Sequence, residues 1–87
     1  MAKYSLVFKK SVAKDLRNIP KKDIKRILKS TKLLCADPRA EGCIKLSSQE
    51  CYRVRQGVYR IIYEIQDFEL IILVVKVAHR SVVYKNS

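Results

Sequence analysis

The chain has 87 residues, of which 19 are Lys or Arg and eight are Asp or Glu, so its formal net charge is +11 at pH 7. This length predicts a single domain over residues 1–87, whose folding hides only about 60% of the surface of the unfolded chain. Hydrophobic residues make up 48% of the sequence and there are two glycines and two prolines. This composition excludes a low-complexity tail and indicates a packed globule.

The excess of positive charge predicts a polyanionic partner. Nucleic acid is the usual polyanion, because each phosphate that a cation neutralises releases a condensed counterion. An acidic protein would satisfy the same field. Charge alone therefore favours nucleic acid and leaves an acidic protein partner open.

The three cysteines are Cys35, Cys43 and Cys51. An odd number without a CxxC pair argues against a disulfide framework and against a tetrahedral zinc site, so we expect buried thiols, no metal and no cofactor. The chain opens without a signal-peptide pattern, and the apolar run Leu70–Val75 is too short to cross a bilayer. We therefore predict no membrane partner and a reducing, cytoplasmic location.

The first half of the chain predicts one strand and two helices. Alternating apolar residues predict a strand from Lys3 to Phe8. An i, i+4, i+7 spacing predicts a short helix from Val12 to Asn18, with Ser11 as its N-cap. A second helix is predicted after Pro20, and it should end before Asp37-Pro38, because the residue preceding a proline avoids the helical region.

The second predicted helix has an apolar stripe and a basic side. The stripe consists of Ile24, Ile27, Leu28, Thr31, Leu34 and Cys35, and the basic side of Lys21, Lys22, Lys25, Arg26, Lys29 and Lys32. A basic side of this kind is either a solvated surface or a contact to phosphate. Under the second interpretation, Lys29 and Lys32 are candidate RNA-binding residues.

Three strand-like runs follow, over residues 51–55, 58–65 and 70–78. Gln56-Gly57 between the first two predicts a tight hairpin turn, since glycine adopts positive φ without a Cβ clash. The order strand, helix, helix, three strands predicts an α+β fold: an antiparallel sheet of about four strands with two N-terminal helices packed on one face.

The predicted hairpin carries three arginines on one side. With Gln56-Gly57 as its turn, Arg53 lies opposite Arg60, and alternation places Arg55 on their face while the tyrosines face the helices. Like charges directly opposite each other cost up to ~1 kcal/mol, so the pair calls for an anion such as phosphate. The alternative is an exposed strand face that is kept soluble by its charge.

A second candidate cluster ends the chain, with His79-Arg80 followed by Tyr84. His79 is either a surface residue or a proton carrier, and Tyr84 either packs on the sheet or stacks on a base. The sequence has no motif for a serine nucleophile, a P-loop or a metal-binding carboxylate pair. RNA supplies its own nucleophile, the 2′-hydroxyl, so a histidine and several arginines are sufficient for its cleavage.

The segment from Tyr52 to Tyr63, YRVRQGVYRIIY, resembles the hairpin of the RelE toxins. The ending Val77-Ala78-His79-Arg80, followed by Val83-Tyr84, is similar to the last strand and terminus of that family. The resemblance spans essentially the whole chain. It implies a toxin of a type II toxin–antitoxin system that enters the ribosomal A site and cleaves messenger RNA.

The resemblance also implies roles for individual residues. Arg53 and Arg55 would form the basic pair of the first hairpin strand, Arg60 would bind phosphate, and Arg80 would stabilise charge or act as the acid. Tyr84 joins them in the implied site, and Lys45, in the resembling segment 44–46, is a further candidate RNA-binding residue. The implied partners are an acidic antitoxin in a hetero-oligomer, messenger RNA on the ribosome, and ribosomal RNA.

The sequence departs from the family in the basic pair, which is often lysine and here is arginine at both positions. Arginine is a poor general base because its pKa exceeds about 12, so His79 is the alternative proton acceptor. Two other functions stay open: inhibition of DNA gyrase, as by the related ParE toxins, and a non-catalytic RNA-binding or ribosome-associated module.

Overall fold

A computed structural model describes residues 3–39, 42–46 and 51–79 of the chain. Its elements are β1 (Ser5–Phe8), α1 (Lys10–Arg17), α2 (Lys21–Ala36), β2 (Ile44–Lys45), β3 (Cys51–Gln56), β4 (Tyr59–Gln66) and β5 (Ile71–His79). The strands form one sheet in the order β1-β5-β4-β3-β2, and both helices contact it. The predicted α+β class with two helices on one face of a sheet is confirmed.

The sheet is mixed, which differs from the predicted antiparallel sheet of about four strands. β1 pairs in parallel with β5, with Ser5 beside Ile71 and Phe8 beside Val74. The chain reaches β5 only after the helices and the other strands, so no hairpin forces these two strands to be antiparallel. The fifth strand, β2, has two residues and is too short to show a period in the sequence.

The bounds of α2 agree with the prediction and those of α1 do not. α2 begins directly after Pro20 and ends at Ala36, before Asp37-Pro38. α1 begins at Lys10, so Ser11 lies inside the helix and is not its N-cap. The amide of Lys9 donates to the carbonyl oxygen of Val74, which continues the β1–β5 ladder up to the first residue of the helix.

The core lies between α2 and the central strands. The predicted stripe of α2 faces the sheet, and Ile27 and Thr31 are fully buried. Ile61, Tyr63 and Ile72 meet it from the sheet and are also fully buried. Each aliphatic side chain of this kind contributes about 1.5–3 kcal/mol by leaving water, so this layer fixes which face of the sheet the helices cover.

The β3–β4 turn is shifted by one residue from its predicted position. Gly57 and Val58 form the turn, with Gly57 at φ +61°, and Gln56 belongs to β3. The Ser30 hydroxyl of α2 donates to Oε1 of Gln56, which holds this residue in the strand. Consequently Arg55, and not Arg53, lies opposite Arg60.

At the other end of the sheet, a polar network ties the chain after α2 to the β4–β5 turn. Arg39 forms a salt bridge to Asp67 with an N–O distance of 3.0 Å, and its Nε donates to the Tyr52 hydroxyl at 3.2 Å. The Tyr4 hydroxyl donates to Oδ1 of Asp67 at 2.6 Å. This network joins the residue before β1 to β3 and to the β4–β5 turn.

All three cysteines are free thiols. Cys35 is buried as expected, whereas Cys43 and Cys51 are only half-buried. Burial raises the pKa of the Cys35 and Cys51 thiols, which keeps them protonated at neutral pH. Within the described ranges, neither helix has the length and apolar character that a membrane span requires.

Replacing Tyr63 with phenylalanine should destabilise the fold. The Tyr63 hydroxyl, whose pKa is raised mainly by burial, donates to the carbonyl oxygen of Pro38 at 2.7 Å. Its removal leaves a buried acceptor without this donor, which costs about 1–3 kcal/mol. Urea unfolding of Tyr63→Phe, with the half-buried Tyr59→Phe as control, measures the loss. Equal stabilities of the two variants would contradict it.

The salt bridge of Asp67 should make stability depend on pH. Hydrogen bonds from Arg39 and then Tyr4 lower the pKa of Asp67 below its ordinary value. The folded-state pKa is therefore below the unfolded value of about 3.9, so the stabilisation is present above pH ~4 and is lost as the pH falls through the folded-state pKa. Thermal unfolding between pH 2 and pH 6 should show Asp67→Asn less stable than the parent at pH 6 and equal to it at the lowest pH. A difference that does not change with pH, or the same pattern in Glu69→Gln, would contradict this.

Candidate nucleic-acid interface

The arginine cluster, defined as Arg53, Arg55 and Arg60, lies on the helix-free face, the side of the sheet opposite the helices. The register pairs Arg55 with Arg60, so these two share a face, and alternation along β3 adds Arg53 to it. The core residue Ile61 points the other way. The register thus agrees with the predicted separation of arginines from core residues, although the predicted partner of Arg60 was two positions away.

The three arginines on this face differ in exposure. Arg55 is exposed, Arg53 is half-buried and Arg60 is only 5% exposed. An anion arriving from solvent therefore meets Arg55 first. Arg60 lies directly opposite Arg55 in the neighbouring strand. Because Arg60 is buried, the attraction between its charge and an anion is screened less than it would be in water.

Lys76 is a fourth cation near this face that the sequence analysis missed. It lies in β5 opposite Ile62, and the next residue on its face is Ala78, the partner of Arg60. It is half-buried. The pairing of β4 with β5 has an irregularity between Ile62 and Tyr63, which interrupts the alternation of side chains along β5. The face on which Lys76 lies therefore could not be predicted from the sequence.

His79 lies at the same end of the sheet as Arg55 and Arg60 but on the helix side. It pairs with Tyr59, and the two rings meet edge to face with centroids 5.9 Å apart and planes at 88°. His79 is exposed. Its neighbour Ala78 faces the other way, opposite Arg60, so the histidine and the arginines approach one strand end from opposite faces.

Two of the predicted site residues, Arg80 and Tyr84, lie outside the described residues. The predicted RNA-binding lysines do not join the arginine cluster. Lys29 and Lys32 are exposed on α2, on the far side of the sheet, and Lys45 is exposed in β2 opposite Tyr52, which places it on the helix side. These lysines therefore lie apart from the arginine cluster.

A cavity of about 300 Å³ lies between the end of α1 and the end of β5. Its lining consists of Asp15, Asn18, Ile19, Tyr59, Lys76, Val77, Ala78 and His79. The backbone amide of Val77 donates to Oδ2 of Asp15 at 3.3 Å, which fixes the carboxylate against the strand. No sequence pattern singled out Asp15 or Asn18, because their place in the cavity depends on how α1 packs on β5.

Two helices on one face of a five-stranded sheet, with a basic cluster on the other face, define a known fold class. Residues 6–84 match the family model described as the ParE toxin of a type II toxin–antitoxin system, parDE. A curated relative from Methanocaldococcus jannaschii, RelE1, which is provisionally named as a toxin, is 30% identical over 97% of this chain and 98% of its own length.

Solved structures agree with this class. The RelE–RelB complex of Pyrococcus horikoshii superimposes with a TM-score of 0.77 at 26% identity, covering 90% of this chain and 96% of that one. The isolated RelE toxin of E. coli gives a TM-score of 0.77 at 25% identity, covering 95% and 93%. The chain therefore belongs to the RelE/ParE superfamily and is a toxin of the type II toxin–antitoxin class.

Replacing Arg55 with glutamine should have opposite effects on the free and RNA-bound protein. Without RNA at low salt, removing the like charge opposite Arg60 should stabilise the fold by up to about 1 kcal/mol. With a single-stranded RNA oligonucleotide, the rise in melting temperature should be smaller than for the parent, because a phosphate contact is lost. Lys14→Gln, which removes an exposed cation from α1, is the matched control. Identical RNA responses of the two variants would contradict the assignment.

Proposed function

We propose that this toxin is a ribosome-dependent endoribonuclease that cleaves messenger RNA in the A site without a metal or cofactor. One observation carries the proposal: the arginine pair Arg55–Arg60 and the chain's single histidine, His79, lie at the same end of the sheet, on its opposite faces. In the proposal, phosphate-binding charge and an imidazole that can accept a proton act on one nucleotide from the two faces of the strand end. The likeness to RelE toxins supports the same assignment.

The proposed reaction uses the 2′-hydroxyl of the messenger as its nucleophile. Attack on the adjacent phosphorus forms a pentacoordinate species with extra negative charge, and expulsion of the 5′-oxygen leaves a 2′,3′-cyclic phosphate. Arg55 would bind the non-bridging oxygens, and the charge of Arg60 behind it would favour the transition state without reorganisation. Arg53, on the same face, would hold the neighbouring phosphate.

The proton acceptor in this proposal is His79. Arginine does not serve, because a guanidinium stays protonated in proteins, whereas the unprotonated nitrogen of a neutral imidazole can accept a proton. A strand that passes round the end of the sheet would have its phosphate on the arginine face and its ribose beside His79. Arg80, as acid or charge stabiliser, and Tyr84, as a stacking residue, complete the proposed site from outside the described residues.

The proposed partners follow from charge and from the relatives. The RelE proteins of Pyrococcus horikoshii and Methanococcus jannaschii were solved as complexes with RelB. We infer an acidic antitoxin that forms a hetero-oligomer with this chain and covers the helix-free face. Lys29, Lys32 and Lys45 would contact ribosomal RNA on the other side of the sheet, and the place of action would be the cytoplasm.

A second candidate function is inhibition of DNA gyrase. The observation in its favour is the ParE description of the matching family model. It does not use His79 as a proton acceptor. A non-catalytic RNA-binding module is the third outcome that the experiment must recognise.

One experiment separates the three functions. The protein is added to a translating extract, messenger breaks are mapped by primer extension, and gyrase supercoiling is measured in parallel. Breaks inside translated codons, absent when translation is blocked, support the nuclease. Inhibited gyrase with intact message would replace it by the second candidate, and neither effect would leave RNA binding alone.

Substitution of His79 by glutamine tests the proton acceptor. Loss of general-base catalysis should slow cleavage by about 10²–10⁴-fold while binding to ribosomes is retained, since no positive contact to phosphate is removed. Single-turnover cleavage on programmed ribosomes and co-sedimentation provide the two readouts. Arg55→Gln is the contrasting variant, in which binding should fall as well. Unchanged cleavage in His79→Gln would remove His79 from the reaction.

A further inference from the structure

The cavity between α1 and the end of β5 shares only His79 with the phosphate chemistry described above. We propose that it binds the nucleobase of the nucleotide whose 2′-hydroxyl attacks, that it prefers guanine, and that it thereby selects the position at which the message is cut. The proposal rests on the proposed nuclease function for its biological meaning. The binding of a nucleobase in the cavity can be tested whether or not the protein is a nuclease.

Size and lining suit a flat heteroaromatic ring. A volume of about 300 Å³ lies at the lower end of the range of ~300–1,000 Å³ for small-molecule sites. Tyr59 and His79 form one wall with rings at 88° to each other, and Ile19 contributes an apolar surface. Aromatic walls of this kind stack on the unpaired bases of single-stranded RNA.

The carboxylate of Asp15 gives the cavity its specificity for hydrogen-bond donors. Only Oδ2 of this group receives the Val77 amide, and a carboxylate has about four lone-pair sites, so it can accept further hydrogen bonds. Guanine offers two adjacent donors, N1–H and the N2 amino group, on one edge. Adenine and cytosine offer one amino group and uracil one N–H, so the carboxylate favours guanine.

The end of β5 connects the cavity with the arginine cluster. β1 pairs with β5 only from Ile71 to Val74, so the last residues of β5 face α1 on that side. Tyr59 and Arg60 are consecutive residues with Cα atoms about 3.8 Å apart, and they face opposite sides of the sheet. In the proposal, a nucleotide with its base in the cavity has its ribose beside His79 and its 3′-phosphate at the strand end that carries Arg55 and Arg60.

Binding of single nucleotides tests the site directly. Titration of the isolated protein with GMP, AMP, CMP and UMP, followed by NMR of the Val77 and His79 amides, should show GMP binding on the order of tenfold more tightly than the others. Asp15→Asn keeps an oxygen for the Val77 amide but replaces the second acceptor oxygen with an NH2 donor and removes the charge, so it should abolish this preference. Asp37→Asn, an exposed carboxylate directly after α2, is the charge-matched control and should retain the preference.

Cleavage in a translating extract provides the second readout. Breaks made by the parent should fall after guanosine, and in Asp15→Asn the ratio of guanosine to other positions should drop on the order of tenfold, with the ratio for Asp37→Asn unchanged. Guanine-selective binding without cleavage would refute the nuclease and keep the cavity assignment. Equal binding of all four nucleotides, no shift at Val77 and His79, or a cavity that responds only to an acidic partner protein would overturn the cavity assignment.

Discussion

The burial of one side of β4 is the constraint on which the rest of the structure depends. β4 is the central strand, and it pairs with β5 from Tyr59 to Gln66 and with β3 from Tyr59 to Glu64. Ile61 and Tyr63 are fully buried beneath the helices, so Arg60 must face the other way. A slip of one residue would turn the arginine into the core and expose the isoleucine, so the same burial that stabilises the fold also fixes the basic face.

Elements with their own local signals could be predicted from the sequence. The limits of α2 follow from Pro20 and Pro38, and its stripe has a clear helical period. Elements fixed by distant contacts could not be predicted. Gln56 belongs to β3 because Ser30 of α2 binds its side chain, and the parallel pairing of β1 with β5 depends on packing across most of the chain.

The candidate site shows the same division. The arginines were placed on one face although the pairing was wrong by two residues, because a shift of two leaves alternation unchanged. His79 was different. Strict alternation from Ile72 and Val74 would place it on the helix-free face, but the irregularity opposite Ile62 and Tyr63 inserts one residue and turns it to the helix side. No periodicity in the sequence reveals that extra residue.

The separation of His79 from Arg55 by the edge of the sheet also limits what the substrate can be. An RNA duplex presents its phosphates on a stiff cylinder and keeps its bases stacked, so it cannot bend round a strand end while placing a base in the cavity. A single strand with unstacked nucleotides can do both. Under the proposed function, the fold therefore requires a message whose bases are held apart and unpaired, which is the state of a codon displayed for decoding. The ribosome would then provide the conformation of the substrate. This small domain would provide the positive charge, the proton acceptor and the selectivity for the nucleobase.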